Sequence, residues 1–127
     1  MDQLKSTRYQ NRCIGITGAG GTLGCALTRC FRASGAEVVG LTHRTPPEVQ
    51  DDEGPHRWIS WQCGEETALD ADLAQLDVLV LNHGINPKGG QSIDDVNRAL
   101  EINALSSWRL MQRYEDISRR HVREKPM

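Results

Sequence analysis

Two hydrophobic periods alternate along the first half of this chain. Arg12 to Thr17 is a short apolar run that predicts a first strand. From Leu23 to Ser34 the period changes: Leu23, Ala26, Leu27, Cys30, Phe31 and Ser34 recur at three- and four-residue steps, which predicts a helix with one apolar stripe. Gly35 ends it as a C-terminal glycine does. Glu37 to Thr42, built on Val38-Val39-Gly40-Leu41, predicts a second strand. Strand, helix and strand with tight glycine punctuation form a βαβ unit, so these two strands should be parallel.

The pattern loosens and then returns. Residues 45–56 carry three prolines, a glycine and four acids, which marks a surface loop with room for one helical turn. Trp58 to Gln62 predicts a short third strand. Trp58 and Trp61 then fall on opposite faces, and at least one of them should cover the sheet. Residues 65–76 read as a weak acidic helix or loop. Asp77-Val78-Leu79-Val80-Leu81 is the strongest strand signal, apolar on both alternations as in a strand buried on both faces. A loop, 82–90, follows. Ser92 then caps a long helix, with Asp94 and Asp95 at the positive end of its dipole. Val96, Ala99, Leu100, Asn103, Ser107, Leu110, Met111 and Tyr114 form its stripe. Residues 1–11 and 115–127 read as loose ends of a single domain spanning 1–127.

Composition bounds the function. The chain has 127 residues and a net charge of −2, so no broad basic field exists to hold nucleic acid or an anionic membrane. No window resembles a membrane span or a signal peptide, which predicts a cytoplasmic protein. Cys13, Cys25, Cys30 and Cys63 form no C-x-x-C and no zinc spacing with histidine, so they read as small buried hydrophobes and no metal is expected.

The candidate chemistry sits where the first strand meets the first helix, at Thr17-Gly18-Ala19-Gly20-Gly21-Thr22-Leu23-Gly24. Strand, glycine turn and helix offer backbone N–H groups to a phosphate at a helix N-terminus. Gly18 would allow the tight turn, Gly20 or Gly21 the approach of a pyrophosphate, and Gly24 close packing of helix on strand. The motif alone also suits a loop with no ligand. In a dinucleotide fold the end of the second strand meets the adenosine ribose, and an acid there favours NAD. Here that place holds Thr42, followed by His43 and Arg44. A guanidinium can fork onto a 2′-phosphate, so NADP is expected over NAD.

At this point the sequence resembles the short-chain dehydrogenase/reductase family, over roughly residues 12–112. The glycine turn is similar to the family's T-G-x-x-G-x-x-G in its extended members. Asp77 to Gly84 resembles the fourth strand and the N-N-A-G motif, with His83 and Gly84 as departures. Leu100-Glu101-Ile102-Asn103-Ala104 resembles the helix that carries the family's catalytic Asn. The variant Asn-His-Gly-Ile-Asn resembles a small cyanobacterial group of such proteins. The resemblance implies an α/β Rossmann-like parallel sheet in the order 3-2-1-4, flanked by helices and truncated after the fourth strand and the helix that follows it. It implies cofactor contacts at Thr17, Gly18, Gly20, Gly21, Thr22, Leu23, Gly24, Thr42, His43, Arg44, Asn82, His83 and Gly84, and makes Asn103 the one catalytic member present.

The family's chemistry also uses a Ser and a Tyr-x-x-x-Lys. This chain has two tyrosines, Tyr9 and Tyr114, with Cys13 and Ser118 four residues on. The expectation is therefore the NADP(H)-binding portion of an oxidoreductase, inactive alone. The alternatives are a non-catalytic nucleotide-binding module that pairs with another subunit, or a decayed fragment without a ligand. A homodimer or a complementary C-terminal fragment would pair through the last helix or the exposed fourth strand. The resemblance places that helix in a dimer interface, where Trp108 and Leu105 would be buried; packing within the chain is the alternative. His83 reads as a structural imidazole.

Overall fold

Four parallel strands form one sheet in the order β3-β2-β1-β4 in a computed structural model, which describes residues 8–47, 52–84 and 92–124. The strands are β1 (Cys13–Thr17), β2 (Glu37–Thr42), β3 (Arg57–Ser60) and β4 (Val78–Val80). The first helix, α1 (Thr22–Ala33), connects β1 to β2. The expected strand order is therefore the observed one. The chain divides into two units: Met1–Ser60 with Gln75–Asn82, and Trp61–Ala74 with His83–Met127.

In the first unit, Ile14, Ile16, Ala19, Ala36 and Val38 form a fully buried cluster, with Leu27 and Phe31 of α1 packed on it. Val39 and Leu41 fill the alternate positions of β2 and are also buried, as a central parallel strand requires. Gly15 lets Leu76 approach: a Cβ at residue 15 would stand 2.5 Å from Leu76 Cδ1.

Three expectations are corrected here. The stripe on α1 is turned, because Leu23 and Cys30 are exposed while Gly24 and Thr28 are buried. The close approach of Gly24 to the turn decides which side of the helix meets the sheet. Cys25 and Cys30 are consequently exposed thiols, and Cys13 and Cys63 are half-buried. The lead-in is not loose at its end, since Tyr9 sets its ring edge against Phe31 at 5.1 Å between centroids.

The second unit holds a 3₁₀ turn at Glu66–Leu69 and the short helix α2 (Asp70–Leu73). After them come α3 (Ile93–Leu100), a π-helical turn at Glu101–Leu105 and α4 (Ser106–Glu124). Ser92 caps α3 as expected, its hydroxyl accepting from the Asp95 N–H at 3.0 Å. The single long stripe is corrected. The π turn carries more residues per turn and re-phases the faces. Ser106 and Leu110 are fully buried, whereas Val96, Leu100 and Met111 lie on the exposed side with Leu105 and Trp108.

Trp61 is corrected too: it lies beyond β3 and is buried in the second unit, donating Nε1–H to Glu66 at 3.0 Å. Nor does the chain fray at Glu115. The helix continues to Glu124, with Glu115 and Arg119 paired one turn apart.

Candidate functional site

The glycine turn begins where Thr17 ends β1. Thr17 is fully buried, and its hydroxyl serves two partners: it accepts from the Asn82 N–H at 2.8 Å and donates to the Val80 carbonyl at 3.4 Å. The Asn82 side chain in turn donates to the Gly18 carbonyl at 3.5 Å. The residues after β4 are thus tied to the base of the turn. Asn82, placed near the turn by sequence reasoning, stands beside Gly18.

Gly18 turns the chain in the left-handed region, with φ at 65°. Its N–H donates to the Leu41 carbonyl at 3.0 Å, and its carbonyl accepts from the Gly21 N–H at 3.2 Å. Gly24 then packs against the same carbonyl: a Cβ there would lie 2.2 Å from Gly18 O and 2.7 Å from Ala19 Cα. No side chain but hydrogen fits.

Gly20 and Gly21 differ from both. Neither has a positive φ. A Cβ on Gly20 would meet Trp58 Cη2 at 3.7 Å, and one on Gly21 would meet Gly18 O at 3.6 Å, both ordinary contacts. The internal packing of the fold does not demand glycine at either position.

The helix that follows is left open to an anion. Gly21 is its N-cap without a capping side chain, and its first turn holds no acid. The contrast with α3, capped by Ser92 and carrying Asp94 and Asp95, is direct. Within that first turn no carboxylate competes for the N-terminal amides of α1 or for the positive end of its dipole. Thr22 and Leu23, the next two predicted contacts, begin this helix and are exposed.

At the end of β2, Thr42 is half-buried. Its hydroxyl accepts from the Arg44 N–H at 3.0 Å, and the Arg44 carbonyl accepts from Ser60 at 3.4 Å. This local turn fixes the backbone of His43 and Arg44 and leaves the Arg44 side chain exposed.

The remaining predicted residues lie in the second unit. His83 sets its ring edge-on to Trp61, 5.5 Å between centroids, and its Nε2 is 3.4 Å from the Ser107 hydroxyl. Asn103 sits in the π turn with its side chain against Gly84: a Cβ on Gly84 would be 2.9 Å from Asn103 Oδ1. Sequence periodicity gave no hint of that turn.

Glu66 was missed as well. It is a buried carboxylate that accepts from Trp61, from the Gly64 N–H and from Arg109. Arg109 also grips Glu101 with both η nitrogens and thereby holds that carboxyl below the usual range. Arg113 forks onto Asp70. A shallow cavity of about 210 Å³ lies here, lined in part by Thr67, Trp108 and Gln112. Burial raises the Cys63 thiol, with the Ser106 hydroxyl opposing the shift. Among the described residues, no three His, Cys, Asp or Glu side chains gather as a metal would need. No helix among the described residues is long and apolar enough to cross a membrane.

Comparison with known proteins agrees with this geometry. Residues 14–122 match the family described as "NAD dependent epimerase/dehydratase family". The chain belongs to this epimerase/dehydratase family. A curated relative, the monoglucosyldiacylglycerol epimerase of Synechocystis, is 35% identical over 103 residues, which is 78% of this chain and 25% of that protein. The fold is that of the short-chain dehydrogenases. A short-chain dehydrogenase from Leptospira borgpetersenii with bound NAD+ gives a TM-score of 0.62 at 20% identity, over 84% of this chain and 45% of that one. Another from Escherichia coli, complexed with NADPH, gives 0.66 at 17%, over 88% and 55%. This epimerase/dehydratase-family chain therefore spans about a quarter of the curated relative and about half of these two dehydrogenases.

Proposed function

We propose that this chain is the NADP(H)-binding portion of an oxidoreductase of the short-chain dehydrogenase type. The observation that carries the reading is the pair Gly20 and Gly21. Each costs conformational entropy that alanine would not, and neither is required by internal packing. Free approach of a ligand to the backbone gives them a reason to be glycine.

The residues fit a dinucleotide on physical grounds. The uncapped N-terminus of α1 receives the pyrophosphate, with Gly18 and Gly24 holding strand and helix at the needed distance. Thr42, His43 and Arg44 meet the adenosine ribose, and the Arg44 guanidinium takes the 2′-phosphate. Asn82 keeps the turn in register through Thr17 and Gly18. His83 and Gly84 belong to the same reading as cofactor contacts, and Asn103 as the relay Asn. When bound, the cofactor supplies hydride exchange with a carbonyl or alcohol carbon. The chain carries no Tyr-x-x-x-Lys, so proton transfer depends on residues supplied from elsewhere and the chain alone is inactive.

A second observation favours pairing with another surface. Ile93, Leu100, Leu105, Trp108 and Met111 are all exposed apolar side chains of the last helices. A second copy or a complementary C-terminal segment would cover them.

Titration with NADPH and NADH separates these claims. The wild type should prefer NADPH, and Arg44→Glu should reverse the preference. Equal affinity of Arg44→Glu for both, at the wild-type NADPH value, would remove Arg44 from the site.

A further inference from the structure

The indole of Trp58 is partly buried against the core of the first unit. It leaves β3 opposite Gly40, its register partner on β2. A Cβ on Gly40 would stand 2.8 Å from Trp58 Cε3 and 2.9 Å from Cζ3, with Pro55 Cγ also at 2.9 Å. The six-membered ring therefore lies on the Gly40 backbone, in space that any other residue there would fill. Its far corner, Cη2, faces Gly20, where a methyl would be 3.7 Å away. The ring also packs on the cluster that contains Ala19, the residue between Gly18 and Gly20. One rigid side chain thus reaches from β3, across β2, to the arm of the turn.

We infer that Trp58 is a positioning residue for that arm. Its ring stands 3.7 Å from the place a Cβ on Gly20 would take and sets the height at which the backbone meets a diphosphate. The inference rests on the dinucleotide reading above, and Trp58 acts through Gly20 without touching the ligand. Gly40 belongs to the device. A glycine in mid-strand weakens the strand, and what it permits here is passage of the ring.

The test uses the full chain, with ADP and AMP as probes and amide hydrogen exchange of the ligand-free protein as a second readout. Trp58→Leu should weaken ADP by about tenfold, within the range for residues that couple to a site through packing. AMP, lacking the diphosphate, should change by less than about twofold. Exchange at residues 20–22 should rise by about tenfold, with amides of β1 and β2 unchanged. Trp58→Phe should recover part of both effects. Gly40→Ala displaces the ring and should reproduce the ADP loss, and adding it to Trp58→Leu should cost no more. Should Trp58→Leu not fold, Trp58→Phe and Gly40→Ala carry the test. Equal losses for ADP and AMP, or exchange rising evenly across the sheet, would make Trp58 mere core packing and overturn the inference. Wild-type protein that ignores ADP would sink the dinucleotide reading, and the exchange pattern alone would then decide whether Trp58 braces the turn.

Discussion

Two alanine substitutions four residues apart should give opposite results. Gly20→Ala adds a methyl with 3.7 Å of clearance to its nearest neighbour, at a backbone conformation open to any residue. The loss of unfolded-state freedom should stabilise the fold by about 0.4–1 kcal/mol. For a chain of this size that raises the melting midpoint by about 1–4 °C. On the reading that this arm receives a pyrophosphate, the added bulk beside its backbone should lower NADPH affinity at least tenfold, or about 1.4 kcal/mol. Gly24→Ala puts its methyl 2.2 Å from a backbone carbonyl that cannot yield without moving β1 or α1. It should cost about 3 kcal/mol or more and lower the midpoint sharply. Circular dichroism melts with NADPH fluorescence titration measure both. A Gly20→Ala protein that binds NADPH like the wild type would refute the argument from unneeded glycines. One that melts well below the wild type would refute the packing on which it stands.

Other consequences can be measured separately. Thr17→Val removes the hydroxyl that holds the Asn82 N–H and should cost about 1–2 kcal/mol in urea unfolding. Gly84→Ala would press a methyl against the Asn103 side chain, so it should shift the NMR signals of the π turn, while Ala-for-Gly at residue 64 meets no atom within 4 Å and is strained only by its φ of 95°. A thiol reagent should modify Cys25 and Cys30 quickly and Cys13 and Cys63 slowly, since burial shields the latter pair and raises their thiols. The Glu101 carboxyl is lowered chiefly by its hydrogen bonds to Arg109. Its contribution is complete above the ordinary carboxylate range and is lost as pH falls through the folded value. Melts of Glu101→Gln should therefore show a shallower fall in acid than those of the wild type.

Much of the first unit was legible because its signals are local. Gly18 and Gly24 mark a turn and a close contact, and the apolar runs of β1, β2 and β4 mark strands, while their order is what the family resemblance implies. What escaped depends on partners distant in sequence. Gly24 against Gly18 turned the α1 stripe by an angle that periodicity cannot supply. The π turn around Asn103 inserts a phase shift with no glycine or proline to announce it. Glu66 looked like one acid in a weak acidic stretch, and only Trp61, Gly64 and Arg109 make it a buried anchor. The last helix outruns its expected end with Glu115 and Arg119 paired one turn apart along it, a spacing the sequence itself carries.

The central claim is that the turn at Thr17–Gly24 receives a dinucleotide with a 2′-phosphate. NADPH fluorescence titration of the purified chain tests it most directly. Saturable enhancement at submillimolar NADPH, with NADH weaker, is the expected result; an unchanged signal up to about 1 mM, where binding free energy has fallen to about −4 kcal/mol, would contradict it.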